Sequence, residues 1–244
     1  MKNFVITVQY DGKNYSGWQI QDGRTTIEGE LVRAVFEVSG ENTTIFGSGR
    51  TDAGVSAFAQ TASFKIEKEF QPSKLMLALN AHLPQDISVI NCKTAPDDFN
   101  ARFSAKRKTY AYYFYISQVR KPILDRFALQ VKFADVDAMK KACQYLVGEH
   151  DFSSFVSANS GKTNFVRTVF DAKIENVKDE LYKFSITGSG FLYNMVRIIM
   201  GTLVGIGMGK AQPEYMKTLI EAKDRTKAGK TVSPVGLVLE EVKY

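Results

Sequence analysis

The sequence is poor in metal ligands. Its 244 residues hold two cysteines, Cys92 and Cys143, and two histidines, His82 and His150. No CxxC pair occurs, so a clustered metal site lacks its ligands. Two isolated cysteines fit a reducing cytoplasm better than a disulfide-stapled fold. Neither a P-loop nor a dinucleotide glycine fingerprint is present, which leaves a nucleotide cofactor without a recognisable seat.

Long apolar runs are missing too. The most apolar stretch, Phe191 to Met208, is interrupted by Asn194 and Arg197 and carries Gly201, Gly205 and Gly207. A membrane span needs about 20 uncharged apolar residues, so this stretch reads as a buried helix with no membrane partner. No leader precedes Phe4-Val5-Ile6-Thr7-Val8, which already reads as a strand. Low-complexity linkers are absent as well.

What is present is ordinary for a globular chain: 44% hydrophobic and 24% charged residues. The 32 basic and 26 acidic residues leave a formal charge of +6. That excess permits an anionic partner such as RNA without requiring one.

Hydrophobic periodicity gives the element order. A strand near 4–10 leads into a glycine-rich loop with Asp11-Gly12 and Gly17-Trp18. A helix over about 26–38 places Ile27, Leu31, Ala34, Val35 and Val38 on one face. Strands follow near 43–48 and 59–66, then a helix near 72–82 opened by Pro72, then a strand near 87–93. The second half repeats the pattern. It has a strand over about 107–117, a helix over about 135–147, and strands near 165–177 and 181–189 that turn at Lys178-Asp179-Glu180. A helix from Phe191, a short one from Pro213 to Ala222 and a strand from Val235 to Val242 complete it.

Each half therefore reads β-α-β-β-α-β, a split βαβ motif. The expected fold is α+β: two ferredoxin-like halves forming one long, mostly antiparallel sheet, with helices on one face and an RNA-binding cleft on the other. The halves are 1–98 and 99–244, divided near Thr94-Ala95-Pro96-Asp97-Asp98, and form one continuous catalytic unit. The polar segment 149–168 is either an RNA-facing loop or a surface excursion.

Three places hold residues suited to chemistry. Gly47-Ser48-Gly49-Arg50-Thr51-Asp52-Ala53-Gly54-Val55-Ser56-Ala57 sets the carboxylate of Asp52 among small residues, open to a large ligand. Arg50 lies two residues earlier, on the same side of an extended segment. Alternatively, Asp52 only caps a turn before Gly54, and Arg50 only ties the loop to nearby carbonyls. Second, Lys106-Arg107-Lys108 leads into the aromatic strand Tyr110-Ala111-Tyr112, a mixture that suits phosphates and stacked bases. It equally suits a strand with one apolar face and a solvated charge cluster. Third, Arg197 sits in an apolar helix. A buried guanidinium cannot be neutralised and needs a carboxylate, either Asp52 or another acid.

The string Gly49-Arg50-Thr51-Asp52-Ala53-Gly54-Val55 resembles the signature of the tRNA pseudouridine synthase A family. The resemblance extends along the chain. Tyr10-Asp11-Gly12, Tyr15 and Gly17-Trp18-Gln19-Ile20-Gln21 look like the family's opening motif. Arg102-Phe103-Ser104-Ala105 before the tyrosines, Phe191-Leu192 with Met195-Val196-Arg197, and Pro234 to Leu239 look like its later ones.

It implies an isomerase that cuts the N1–C1′ bond of a uridine, rotates the uracil and rejoins it through C5, without a cofactor or metal. Asp52 would be the catalytic nucleophile, attacking C1′ or C6 or acting through a glycal route. Tyr110 would pack against the target base, Arg50 would help hold the nucleotide out of the stack, and Arg197 would pair with Asp52. The implied substrate is tRNA at uridines 38, 39 and 40 of the anticodon arm, bound by a homodimer. Three positions depart from the family pattern: Ser56 and Asn100 stand where histidines are usual, and Val238 where an aromatic is usual. The rivals are a non-catalytic tRNA-binding or chaperone module and a hydrolase with an Asp nucleophile, which lacks a second carboxylate to activate water.

Overall fold

A computed structural model describes residues 1–157 and 163–244. The centre of the polar segment 149–168 lies outside the described residues. The chain divides into two compact units, Met1–Lys106 with Val238–Tyr244, and Arg107–Leu237.

The first unit runs β1 (Lys2–Tyr10), α1 (Ile27–Ser39), β2 (Phe46–Gly47), β3 (Ser56–Ile66), α2 (Pro72–His82) and β4 (Ile87–Thr94). β1 lies between β4 and β3, antiparallel to both, and β2 pairs antiparallel with the other side of β3. The order β4-β1-β3-β2 is the split βαβ arrangement expected from the sequence. α1 starts where Thr26 Oγ1 accepts the Gly29 N–H at 3.3 Å, with Glu28 and Glu30 in the first turn. Leu31, Val35, Leu75 and Leu79 of the helices and Phe4, Ile6 and Phe64 of the strands are all buried with almost no exposure.

The second unit holds β5 (Arg107–Ile116), β6 (Leu129–Val131), α3 (Val136–Gln144), β7 (Gly148–Asp151), β8 (Val166–Lys178), β9 (Leu181–Gly188), α4 (Met195–Gly207) and α5 (Tyr215–Ala222). β9 pairs antiparallel with β5 and β8, β8 pairs antiparallel with β7, and β6 runs parallel to β5. The β8–β9 turn carries Asp179 at φ 49°, a conformation that Asp tolerates. α3 packs on α4 and β8.

The last strand, β10 (Leu237–Lys243), follows the second unit in sequence but runs parallel to β3 of the first, with Val238 opposite Ser56 and Leu239 opposite Ala57. The fold class is α+β; of the ladders given above, β5–β6 and β3–β10 are parallel and the others antiparallel.

Four elements differ from the sequence expectation. β2 is two residues long. β6 and β7 were not foreseen. α4 begins at Met195, because Asn194 takes a left-handed φ of 61° and stops the helix from reaching Phe191.

Candidate active site

In the first unit the loop between β2 and β3 is clamped by the loop after β1. Trp18 N–H donates to the Thr51 carbonyl at 3.0 Å, and Gly54 N–H donates to the Tyr15 carbonyl at 3.2 Å. Gly12 N–H donates to Ser56 Oγ at 3.0 Å. Thr51 Oγ1 and the Tyr10 hydroxyl share a buried hydrogen bond of 2.8 Å. The opening motif and the Asp52 loop, about forty residues apart in sequence, thus form one structure.

Glycines make the close approach possible. A Cβ on Gly12 would stand 2.0 Å from the Val55 carbonyl oxygen, and one on Gly17, at φ 92°, 2.6 Å from that of Thr51. A Cβ on Gly47 would meet the Trp18 ring at 2.5 Å. Asp52 opens a turn closed by Val55 N–H donating to its carbonyl at 3.1 Å, with Gly54 at φ 78° in the third position. That is a type II turn, whose third position requires a positive φ. The backbone therefore makes this turn itself.

Asp52 is half-buried and Arg50 is exposed. Glu28, which sequence reasoning passed over, accepts the Ile20 N–H at 3.0 Å. Burial pushes its carboxyl above the ordinary range, while the Ile20 bond and the charge of Arg50 pull it back. The departures from the family pattern have partners. Ser56 receives the Gly12 bond, and Asn100 Oδ1 accepts the N–H groups of Arg102 and Phe103 at 2.9 and 3.3 Å, capping that turn. Val238 lies in the β3–β10 ladder next to the exit of the Asp52 loop.

In the second unit, Tyr110 occupies β5 opposite Ile186, 8% exposed. Its ring meets Phe191 edge to face, with centroids 5.1 Å apart. The side chain of exposed Arg107 lies over Phe170, 4.4 Å from the ring centroid. Arg197 is half-buried rather than enclosed, one turn after Asn194 and among the buried Met195, Val196 and Ile198 of the first turn of α4. Its Nε donates to the Val232 carbonyl at 2.8 Å and its Nη1 to Asn194 Oδ1 at 2.7 Å. Asn194 also donates to Ser157 Oγ at 2.8 Å, so the residue that breaks the helix also holds the guanidinium. The charge of Arg197 lowers the Tyr112 phenol, which burial otherwise raises far more. Tyr112 donates to the Ser233 carbonyl at 2.6 Å. Its ring packs where a Cβ on Gly236 would fall 2.6 Å away.

Among the described residues, no group of three or more His, Cys, Asp or Glu side chains is placed to hold a metal ion. No helix among them is long and apolar enough to cross a membrane.

Residues 6–104 and 142–244 match the family described as tRNA pseudouridine synthase. Arg50, Asp52 and Arg197 fall inside the matched spans, and Tyr110 falls between them. Proteins called tRNA pseudouridine synthase A align along the full length of both chains. The one from Caldicellulosiruptor bescii is 45% identical over 245 residues. Those from Caldicellulosiruptor saccharolyticus and Clostridium acetobutylicum are 44% and 42% identical, again with 100% of each chain covered. A family match over most of the sequence, joined to relatives above 40% identity end to end, leads to one conclusion: the chain belongs to the tRNA pseudouridine synthase family.

Proposed function

We propose that the protein isomerises uridine to pseudouridine at positions 38, 39 and 40 of the tRNA anticodon arm, as a cytoplasmic homodimer. The single observation that supports this best is the whole-length similarity to tRNA pseudouridine synthases A. The held loop around Asp52 agrees with it. A nucleophile must be presented in one orientation.

Asp52 supplies the anion. A carboxylate attacks a carbon centre without needing a metal, and the protein's task is to keep it charged and aimed. Tyr110 offers a ring face to the extruded uracil and a hydroxyl for the C5 proton. Arg50 is exposed, and its planar guanidinium fills the space the base leaves. Arg197 keeps the nucleophile ionised, since a nearby cation favours a carboxylate's charged form. No redox step or external group is involved. The glycosidic N1–C1′ bond breaks, a C1′–C5 bond forms, the C5 proton leaves to solvent, and the freed N1 takes up a proton, so the product is an isomer of the substrate.

The test uses tRNA tritiated at uridine C5. Tritium release from intact chains, with pseudouridine mapped to 38, 39 and 40, is the expected result. Free uracil would mean a hydrolase, and binding without release a non-catalytic tRNA module; either overturns the proposal. Light scattering should give twice the chain mass of 27.3 kDa.

A further inference from the structure

We propose that Tyr10 and Gln60 form a buried polar platform beneath the Asp52 loop and act as positioning residues for the nucleophile. This rests on the synthase function proposed above. Both side chains are buried: Gln60 is 0% and Tyr10 3% exposed. They stand on neighbouring strands, β3 and β1, where the register slips between Val8 and Tyr10. Such an irregularity re-aims side chains.

Together they hold three of the four residues that precede Asp52. Ser48 Oγ donates to Gln60 Oε1 at 2.5 Å. Gln60 Nε2 donates to the Gly49 carbonyl at 2.8 Å. Tyr10 bonds Thr51 Oγ1 at 2.8 Å and also engages the Gln60 side chain. Ser48 and Thr51 are themselves buried, at 0% and 5% exposure. Arg50, the fourth, points to solvent.

A purely structural core would place Phe at position 10, because the ring fills the volume and a buried hydroxyl costs free energy unless paired. Among the described residues the hydroxyl is hydrogen-bonded to Thr51, the residue before Asp52, and acts on the side chain of Gln60, which holds Ser48 and Gly49. A satisfied buried network of this kind selects one conformation. That conformation sets where the Asp52 side chain leaves the backbone. Neither residue needs to touch substrate.

The experiment compares wild type, Tyr10→Phe, Thr51→Val, the double variant and Thr51→Ser as full-length proteins. It reads single-turnover tritium release, tRNA affinity and the thermal midpoint. Tyr10→Phe and Thr51→Val are each expected to slow release about 10- to 100-fold, the scale of a misplacement near 1 Å. Affinity should stay within about twofold, since the lost interaction serves chemistry rather than uniform binding. The double variant should be no slower than the worse single, because both remove one bond, and Thr51→Ser should retain wild-type rate.

Wild-type rates in both single variants overturn the platform, as do multiplicative losses in the double or losses confined to affinity. Should Tyr10→Phe not fold, Thr51→Val and Thr51→Ser carry the same comparison. A wild-type protein that releases no tritium defeats the synthase reading itself, and this inference with it. Normal wild-type release with unaffected variants defeats this inference alone.

Discussion

The Asp52 loop and the Tyr110 strand are held by different means. The loop depends on single polar bonds and on glycines that admit backbone to within contact distance. Gly12, Gly17 and Gly47 each lack room for a Cβ. Tyr110 depends on strand register and a ring contact. Its neighbours Lys108 to Tyr115 all pair with β9 in one unbroken register. A strand ladder tolerates a changed side chain because the backbone carries the geometry, whereas a loop built on close approach does not. Substitutions of those glycines and bonded side chains should therefore disturb the scaffold and chemistry together, and a changed Tyr110 should alter chemistry alone.

The largest effect is expected where the comparison is sharpest. Gly17→Ala puts a Cβ against the Thr51 carbonyl at a φ that L-residues avoid. It should cost about 2–4 kcal/mol and remove activity. Urea unfolding checks this, and a loss below about 0.5 kcal/mol would show that the loop yields.

Arg197→Met should come next. It strips a donor from the Val232 carbonyl and from Asn194, a loss of about 1–3 kcal/mol. Under the proposed pairing with Asp52 it should also slow turnover, because loss of a neighbouring cation disfavours the charged carboxylate. A raised pKa leaves less carboxylate at neutral pH, so activity should recover partly as pH increases. A pH–rate profile superimposed on wild type would separate Arg197 from the nucleophile.

Tyr110→Phe should fold with the edge-to-face contact to Phe191 intact and bind tRNA normally. Its turnover should fall about 10- to 100-fold if the hydroxyl relays the C5 proton as proposed. Full activity would confine Tyr110 to stacking.

The smallest effect belongs to the cysteines. Burial raises the Cys92 thiol to about 11 and the Cys143 thiol to about 12, with Asp171 adding to the latter. Both stay protonated near pH 8, and the thiolate is the reactive form. Iodoacetamide at that pH should leave activity unchanged, and rapid loss would place a reactive thiol near the site.

Much of this was legible in the residues. The Ile27-Leu31-Val35 stripe marks α1, and the glycine string marks the Asp52 loop. The polar platform was not legible. Gln60 stands in a run from Gln60 to Phe64 that is buried throughout, so alternation no longer separates inside from outside. Tyr10 was visible as part of a motif, but its bond to Thr51 depends on the register slip after Val8, which periodicity does not encode. The start of α4 was misplaced because apolar character continues through Phe191 and Leu192, while one polar residue, Asn194, decides the backbone. β6 and β7, three and four residues long, are too short to leave a period-two signal.

The most direct test of the account compares Asp52→Asn with wild type in single-turnover tritium release and in tRNA binding. The amide matches the carboxylate in shape but carries no charge, so the loop should keep its form. Release is expected to fall by at least about 1,000-fold, some 4 kcal/mol of barrier, with affinity unchanged. Release within about tenfold of wild type, or roughly 1.4 kcal/mol, would remove Asp52 from the chemistry.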